Sequence, residues 1–299
     1  MGWMAFWPIR LISPEISLRS LTSPRWPVLP LRISCLWIFP KPARIFRTGA
    51  HACRPAPALH RQPDERTREK DPAMELNADF TQRVVVHGDE IEWLSSPMAG
   101  VDRRMLDRIG DEVARATSIV RYAPGSSFSP HVHTGGEEFV VLEGVFQDEH
   151  GDFPAGSYIR NPPESRHTPA SETGCTILVK LWQFDPDDRT HVRIDTNKIG
   201  TIADAGRPGV SVTPLFLDPL EDVRIQHWEP NAEVTIGADG GAEHFVLSGG
   251  FAEGGDILHA NSWLRLPDKM TVRARAGAEG ARVWVKTGNL RYAEAPATL

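Results

Sequence analysis

At 299 residues the chain has room for two ordinary domains, and its formal charge of −6 hides an asymmetry. Residues 1–73 hold 12 Lys/Arg against 5 Asp/Glu, a balance of +7, whereas residues 74–299 hold 21 against 34, a balance of −13. So acidic a body excludes nucleic acid as the main partner, because phosphate backbones require a basic face.

Residues 1–73 carry 11 of the 25 prolines and 4 of the 9 tryptophans, with neither a helical nor a strand period. Pro8, Pro14, Pro24, Pro27, Pro30, Pro40 and Pro42 would interrupt any helix of useful length. No apolar run approaches a membrane span, and a clean signal-peptide core with a small-residue cleavage site is missing. We read this segment as disordered upstream sequence from a mis-set start, with the native protein beginning at Met74. After Met74 the texture becomes that of a domain: Phe80, Val84, Val85, Val86, Ile91 and Trp93. Residues 101–113 also fit a helical stripe (Val101, Met105, Ile109, Val113), but Gly110-Asp111 in their middle favours a hairpin. Alternating runs at Thr117–Tyr122, Thr176–Trp182 and Arg282–Lys286, bounded by Gly, Pro and Asp, predict antiparallel strands. Cys175 is the one cysteine after residue 73, a poor basis for disulfides and suited to the reducing cytoplasm.

The chemistry concentrates between Gly125 and His167. His131 and His133 occupy alternate positions of a predicted strand and so share a face. Thr134-Gly135-Gly136 forms a corner able to bring Glu137 back towards them, and His167 follows thirty residues after Glu137. Three imidazoles and a carboxylate suit one divalent transition metal: Fe, Zn or Mn. By strand parity Glu138 points away from this set, as a solvated group or a salt-bridge partner. Tyr122, Tyr158, Arg160 and Trp182 lie on flanking strands and are candidates for the pocket wall.

The spacing Gly125, His131, His133, Glu137, Gly144, then Gly156, Pro162, His167, resembles the two motifs of the cupin superfamily. Glu164 stands where that family usually has glycine, and Ser171 where an asparagine is expected. The run from Glu137 to Phe146 and from Asp148 to Tyr158 is most similar to the ChrR-like cupin domain of anti-sigma factors. That resemblance implies a metal in the mouth of a small antiparallel barrel, held by His131, His133, Glu137 and His167. Such anti-sigma factors also carry an N-terminal zinc-binding helical domain with a His-x3-Cys-x2-Cys pattern. Cys35 and Cys53 are too far apart for it, so the sigma-binding half is not expected here.

Residues 74–299 also repeat internally, with a period of about 106. Glu137 to Gly144 recurs as Glu243 to Gly250. The predicted architecture is therefore all-β: two tandem cupin (jelly-roll) barrels, residues 74–195 and 196–299, after the disordered segment 1–73. On this repeat His131 maps to Gly237, His133 to Asp239 and His167 to Thr271 or Val272. Glu243 persists, with Asp239 as a weak companion, so the second barrel is expected to lack a metal. Trp228, Trp263 and Trp284 would then serve an interface with the first barrel or, in a homodimer, with another subunit.

Four protein ligands leave coordination positions open, the mark of a catalytic or sensing site rather than a closed structural one. Two functions follow. One is a small-molecule metalloenzyme of the Fe(II) dioxygenase type, acting on a diketone-like or phenolic ketone substrate. The other is a non-catalytic zinc-binding sensor related to the anti-sigma cupins. Both imply a small-molecule ligand, no nucleic acid and no membrane.

Overall fold

The computed structural model describes residues 74–292 except Glu112; the expectation of disorder for residues 1–73 lies outside them. Among the described residues, apart from three short 3-10 turns, every regular element is a strand. In chain order the main strands of the first repeat are β1 (Val84–His87), β2 (Val101–Ile109), β3 (Arg115–Tyr122), β4 (His131–His133), β5 (Glu137–Asp148), β6 (Ser157–Asn161), β7 (Ser165–His167) and β8 (Cys175–Leu181). Those of the second are β9 (Val192–Asp195), β10 (Val210–Leu217), β11 (Asp222–Trp228), β12 (Glu233–Gly237), β13 (Ala242–Glu253), β14 (Ser262–Leu266) and β15 (Thr271–Thr287). The ambiguous 101–113 region is the expected hairpin: β2 and β3 pair antiparallel and Gly110 takes φ +111 at the turn.

The main sheet of the first repeat runs β2-β3-β8-β5-β6-β9, and that of the second runs β10-β11-β15-β13-β14-β1. The outermost strands are exchanged. β1, from the first repeat, pairs with β14, while β9, from the start of the second, pairs with β6. Beyond its bend at Gly144, β5 leaves the main sheet to pair with short strands that fold over it as a second layer. Gly144 holds φ +70, and a Cβ there would lie 2.0 Å from the Gly174 carbonyl oxygen. Gly249 repeats this at φ +67, with 2.2 Å to the Gly280 oxygen. Only glycine tolerates both the left-handed backbone and the close approach.

Three apolar cores result. Phe139, Val141, Phe146, Ile159, Ile177 and Val179 fill the first barrel, and Val234, Ile236, Val246, Leu264, Leu266 and Val283 belong to the second. The third core joins the barrels and includes Leu106, Ile119, Val140, Leu178, Ile225, Phe245, Trp263 and Trp284. Trp263 and Trp284 thus do serve the interface with the first barrel. Trp228 does not; it packs inside the second barrel, bonded through Nε1–H to Gln226.

Pairing fixes the repeat one residue away from the alignment read off the sequence. Glu137 stands opposite Asn161 as Ala242 stands opposite Leu266. Glu138 faces Arg160 and Lys180 as Glu243 faces Arg265 and Lys286. Glu243 is therefore the counterpart of Glu138, not of Glu137. Both carboxylates enter the inter-barrel layer, where their ion pairs cross. Lys180 Nζ lies 2.6 Å from Glu243 Oε2, and Lys286 Nζ lies 2.5 Å from Glu138 Oε2. The arginines cross likewise: Arg160 to Glu221 at 2.7 Å and Arg265 to Asp107 at 3.2 Å. All eight side chains are at most 2% exposed, so Glu138 is a buried salt-bridge partner and not a solvated group.

Candidate metal centre

β4 and β7 form a two-stranded ribbon at the mouth of the first barrel, in register His131↔His167 and Ser165↔His133. Among the described residues, His131, His133 and His167 are the one group of three or more potential ligands, their ligand nitrogens all within 4.8 Å of one another. His133 Nε2 and His167 Nε2 are 2.9 Å apart, and Glu137 Oε2 lies 3.4 Å from the first and 3.5 Å from the second. Ligands about 2.1 Å from one cation and 90–110° apart would be roughly 3.0–3.4 Å from each other. The spacing therefore fits a single small cation touching both imidazoles and the carboxylate.

Outer groups orient these ligands. His131 Nδ1 meets the Ser129 carbonyl oxygen at 3.2 Å and His167 Nδ1 meets Asp148 Oδ2 at 3.3 Å. With those nitrogens as donors, each Nε2 keeps a free lone pair. Asn161 Nδ2–H donates to Glu137 Oε2 at 3.2 Å. Burial, helped by the two neighbouring imidazoles, pushes the His133 pKa down to about 4, so its ring is neutral at pH 7. Burial alone would raise the Glu137 pKa, but His133, His167 and the Asn161 amide more than offset it and keep the carboxylate ionised. His133 and Glu137 are thus in the protonation states a divalent metal needs.

The corner that returns Glu137 to the site works as its glycines suggest. Gly136 takes φ +78 and its N–H donates to the His133 carbonyl oxygen at 3.2 Å. A Cβ at Gly135 would fall 2.0 Å from the Trp182 indole, which lies flat over the corner. Trp182 therefore braces the ligand loop. Tyr122 lies against Phe128 and Phe146 inside the barrel, and burial and then the Glu137 charge push its pKa upward.

Tyr158 and Arg160 are not part of this pocket. On β6, Ile159 and Asn161 share the side of Phe139 and Glu137, which turns Tyr158 and Arg160 towards the inter-barrel layer. There Tyr158 O–H donates to Glu138 Oε1 at 2.5 Å, and Arg160 sits between Phe184 and Phe216. Sequence reading missed Asn161 and Asp148. Strand parity offered a signal for the former, since Asn161 is an even number of residues from Ile159. For Asp148 there was none short of knowing that β5 bends at Gly144. Glu164, at the family's glycine position, adopts φ +68, the backbone that glycine would supply without strain.

At the matching places of the second barrel, Ile236 pairs with Val272 where His131 pairs with His167, and Ala242 replaces Glu137. Those positions are apolar, and Glu243, read from the sequence as a surviving ligand, faces away from them. The counterpart of Phe139 is His244, fully buried with no hydrogen bond to Nδ1, its pKa driven to about 3 by burial.

A three-histidine ribbon at the mouth of one β-barrel is the arrangement that the resemblance in the sequence implies. Residues 81–185 match the model of the ChrR Cupin-like domain. The anti-sigma-E factor ChrR of Cereibacter sphaeroides is 33% identical over 126 residues, 42% of this chain and 52% of the relative. The chain thus matches about half the length of that curated relative. Two solved structures share the fold. A candidate dioxygenase from Nostoc punctiforme aligns with a TM-score of 0.55 at 15% identity, covering 76% of this chain and 88% of that one. Protein Ylba from E. coli aligns with a TM-score of 0.55 at 14% identity, covering 72% and 93%. No helix among the described residues is long and apolar enough to cross a membrane.

Proposed function

We propose that the first barrel, residues 74–195, is a cytoplasmic small-molecule metalloenzyme of the Fe(II) dioxygenase type. In this reading His131, His133, Glu137 and His167 hold one divalent metal, and barrel 196–299 is a metal-free scaffold. The convergence of two Nε2 atoms and Glu137 Oε2 within 3.5 Å of one another carries this reading. When bound, a ferrous ion supplies Lewis acidity and brings dioxygen beside an enolisable substrate. The chain's own groups do the rest. Asp148 and the Ser129 carbonyl keep the imidazoles in their ligating tautomers, and Asn161 and Trp182 hold Glu137 and its loop. The side chains of Phe146, Tyr122 and Phe128 exclude water from the inner wall. On the ligand face of β4 His131 is half-buried and still reaches solvent, so a diketone-like or phenolic ketone substrate has a way in.

A second reading is a zinc-filled, non-catalytic sensor. It is favoured by the 33% identity to an anti-sigma factor over the cupin part. Elemental analysis of the full chain, purified without oxygen or chelators beside His131→Ala, separates the two. About one iron per chain, lost in the variant, together with diketone-dependent oxygen uptake, supports the dioxygenase. About one zinc and no oxygen uptake supports the sensor. Neither metal in either protein defeats both.

A further inference from the structure

Away from the metal, a cavity of about 330 Å³ opens where the two barrels meet. Its walls come from both repeats: Val140 and Leu142 of β5, Leu247 of β13, and Asn261 in the turn before β14. Arg282 of β15 also lines it. Its guanidinium is half-buried, and among the described residues its side chain has one recorded partner. Nη2–H donates to Thr196 Oγ1 at 3.0 Å. Thr196 is itself fixed, its hydroxyl donating to the Gly156 carbonyl oxygen at 2.6 Å. Every other buried arginine of the inter-barrel layer has a carboxylate, as Arg160 has Glu221 and Arg265 has Asp107. Arg282 has none within ion-pair distance among the described residues, and burial, unopposed by any neighbouring acid, lowers its pKa. Glu143 also borders the cavity but is exposed at its rim.

A half-buried guanidinium has lost part of its hydration, and an anion is the group best able to replace it. Asn261 adds a second donor to the wall. Its backbone is tied on both sides, N–H to the Val246 carbonyl and carbonyl to the Gly88 N–H, while its carboxamide has no recorded hydrogen bond. The cavity volume is at the lower end for small-molecule sites, and such sites favour domain junctions. We propose that this inter-barrel cleft binds a small carboxylic acid with an apolar body. The carboxylate sits on Arg282 and the Asn261 amide, and the body lies between Leu142 and Leu247. Planar, bidentate donation is what a guanidinium offers a carboxylate, and the aliphatic walls reject a bare inorganic ion.

The test is a titration of the full chain with benzoate, followed by calorimetry and ligand-observed NMR, with inorganic phosphate in parallel. Saturable benzoate binding at millimolar concentrations is expected, weakened at least about tenfold in Arg282→Gln. Ala155→Leu, which fills the cavity and leaves Arg282 in place, should weaken it similarly and decides the matter if Arg282→Gln fails to fold. His131→Ala should bind benzoate as the wild type does. No saturable binding, equal binding in Arg282→Gln, or phosphate bound as well as benzoate would each overturn the proposal. Loss of binding in His131→Ala would also overturn it, since the acid would then be sitting on the metal.

Discussion

Lys180→Met tests the crossed ion pairs that hold the barrels together. Lys180 Nζ lies 2.6 Å from Glu243 Oε2, and both side chains are at most 1% exposed. Trp263 and Asn289 also donate to that carboxylate, at 3.0 and 2.6 Å. Burial by itself would raise the Glu243 pKa, yet Lys180, with Arg115, brings it down to about 2. Against an unfolded value near 4.5, that depression is worth about 3 kcal/mol. The sign follows from a folded pKa below the unfolded one. The stabilisation is complete above about pH 4.5 and is lost as pH falls towards 2. Removing the ammonium leaves a buried carboxylate without its counter-ion, at a cost of about 3–5 kcal/mol near neutrality. For a body of this size that is a fall in melting temperature of roughly 10 °C. Glu243 would then gain stability by binding a proton, so the variant should lose less than the wild type as pH drops from 7 to 4. Urea unfolding followed by circular dichroism at both pH values reads this directly. Adding Glu243→Gln to Lys180→Met should recover part of the loss. A Lys180→Met cost below about 1 kcal/mol, or a double variant worse than the single one, would refute the reasoning.

Three further outcomes are expected. Asp148→Asn should reduce metal affinity about 10–100-fold without unfolding the barrel, measured by competition with a chromogenic chelator. His244→Leu should flatten the acid limb of stability. His244 has a folded pKa near 3 and an unfolded one near 6.5, so the wild type loses stability as pH falls between them, and the variant should not. Gly144→Ala should destabilise by at least about 2 kcal/mol in urea, because both the φ of +70 and the 2.0 Å approach to the Gly174 oxygen forbid a Cβ.

The convergence of His131, His133, Glu137 and His167 was legible because its elements are local. Strand parity for His131 and His133, a glycine corner before Glu137 and a fixed spacing to His167 survive any error in the rest of the topology. The all-β architecture and the 101–113 hairpin were legible for the same reason. Tyr158 and Arg160 were misplaced because parity says which residues share a face but not which face looks inward. That depended on β6 being flanked on its other side by a second barrel. The repeat slipped by one because Glu243 and Phe245 match Glu137 and Phe139 in type, whereas hydrogen-bond register assigns Glu243 to Glu138. Charge was misleading too. A Glu, Lys or Arg in a strand reads as solvent-facing, and nothing in one sequence announces that two such sets will neutralise each other across a dry interface.

The exchange of β1 and β9 means that the seam in the sequence is not a seam in space. A fragment beginning at residue 192 would lack β1 and leave β14 with an uncovered edge, the pattern that invites edge-to-edge association. The complementary fragment would lose β9 from the edge of β6 and carry β1 with nothing to pair to. Each half thus carries the missing piece of the other, and an ancestor with a single barrel would have had to take that strand from a second copy of itself. Joining two copies end to end would convert an intermolecular trade into an intramolecular one.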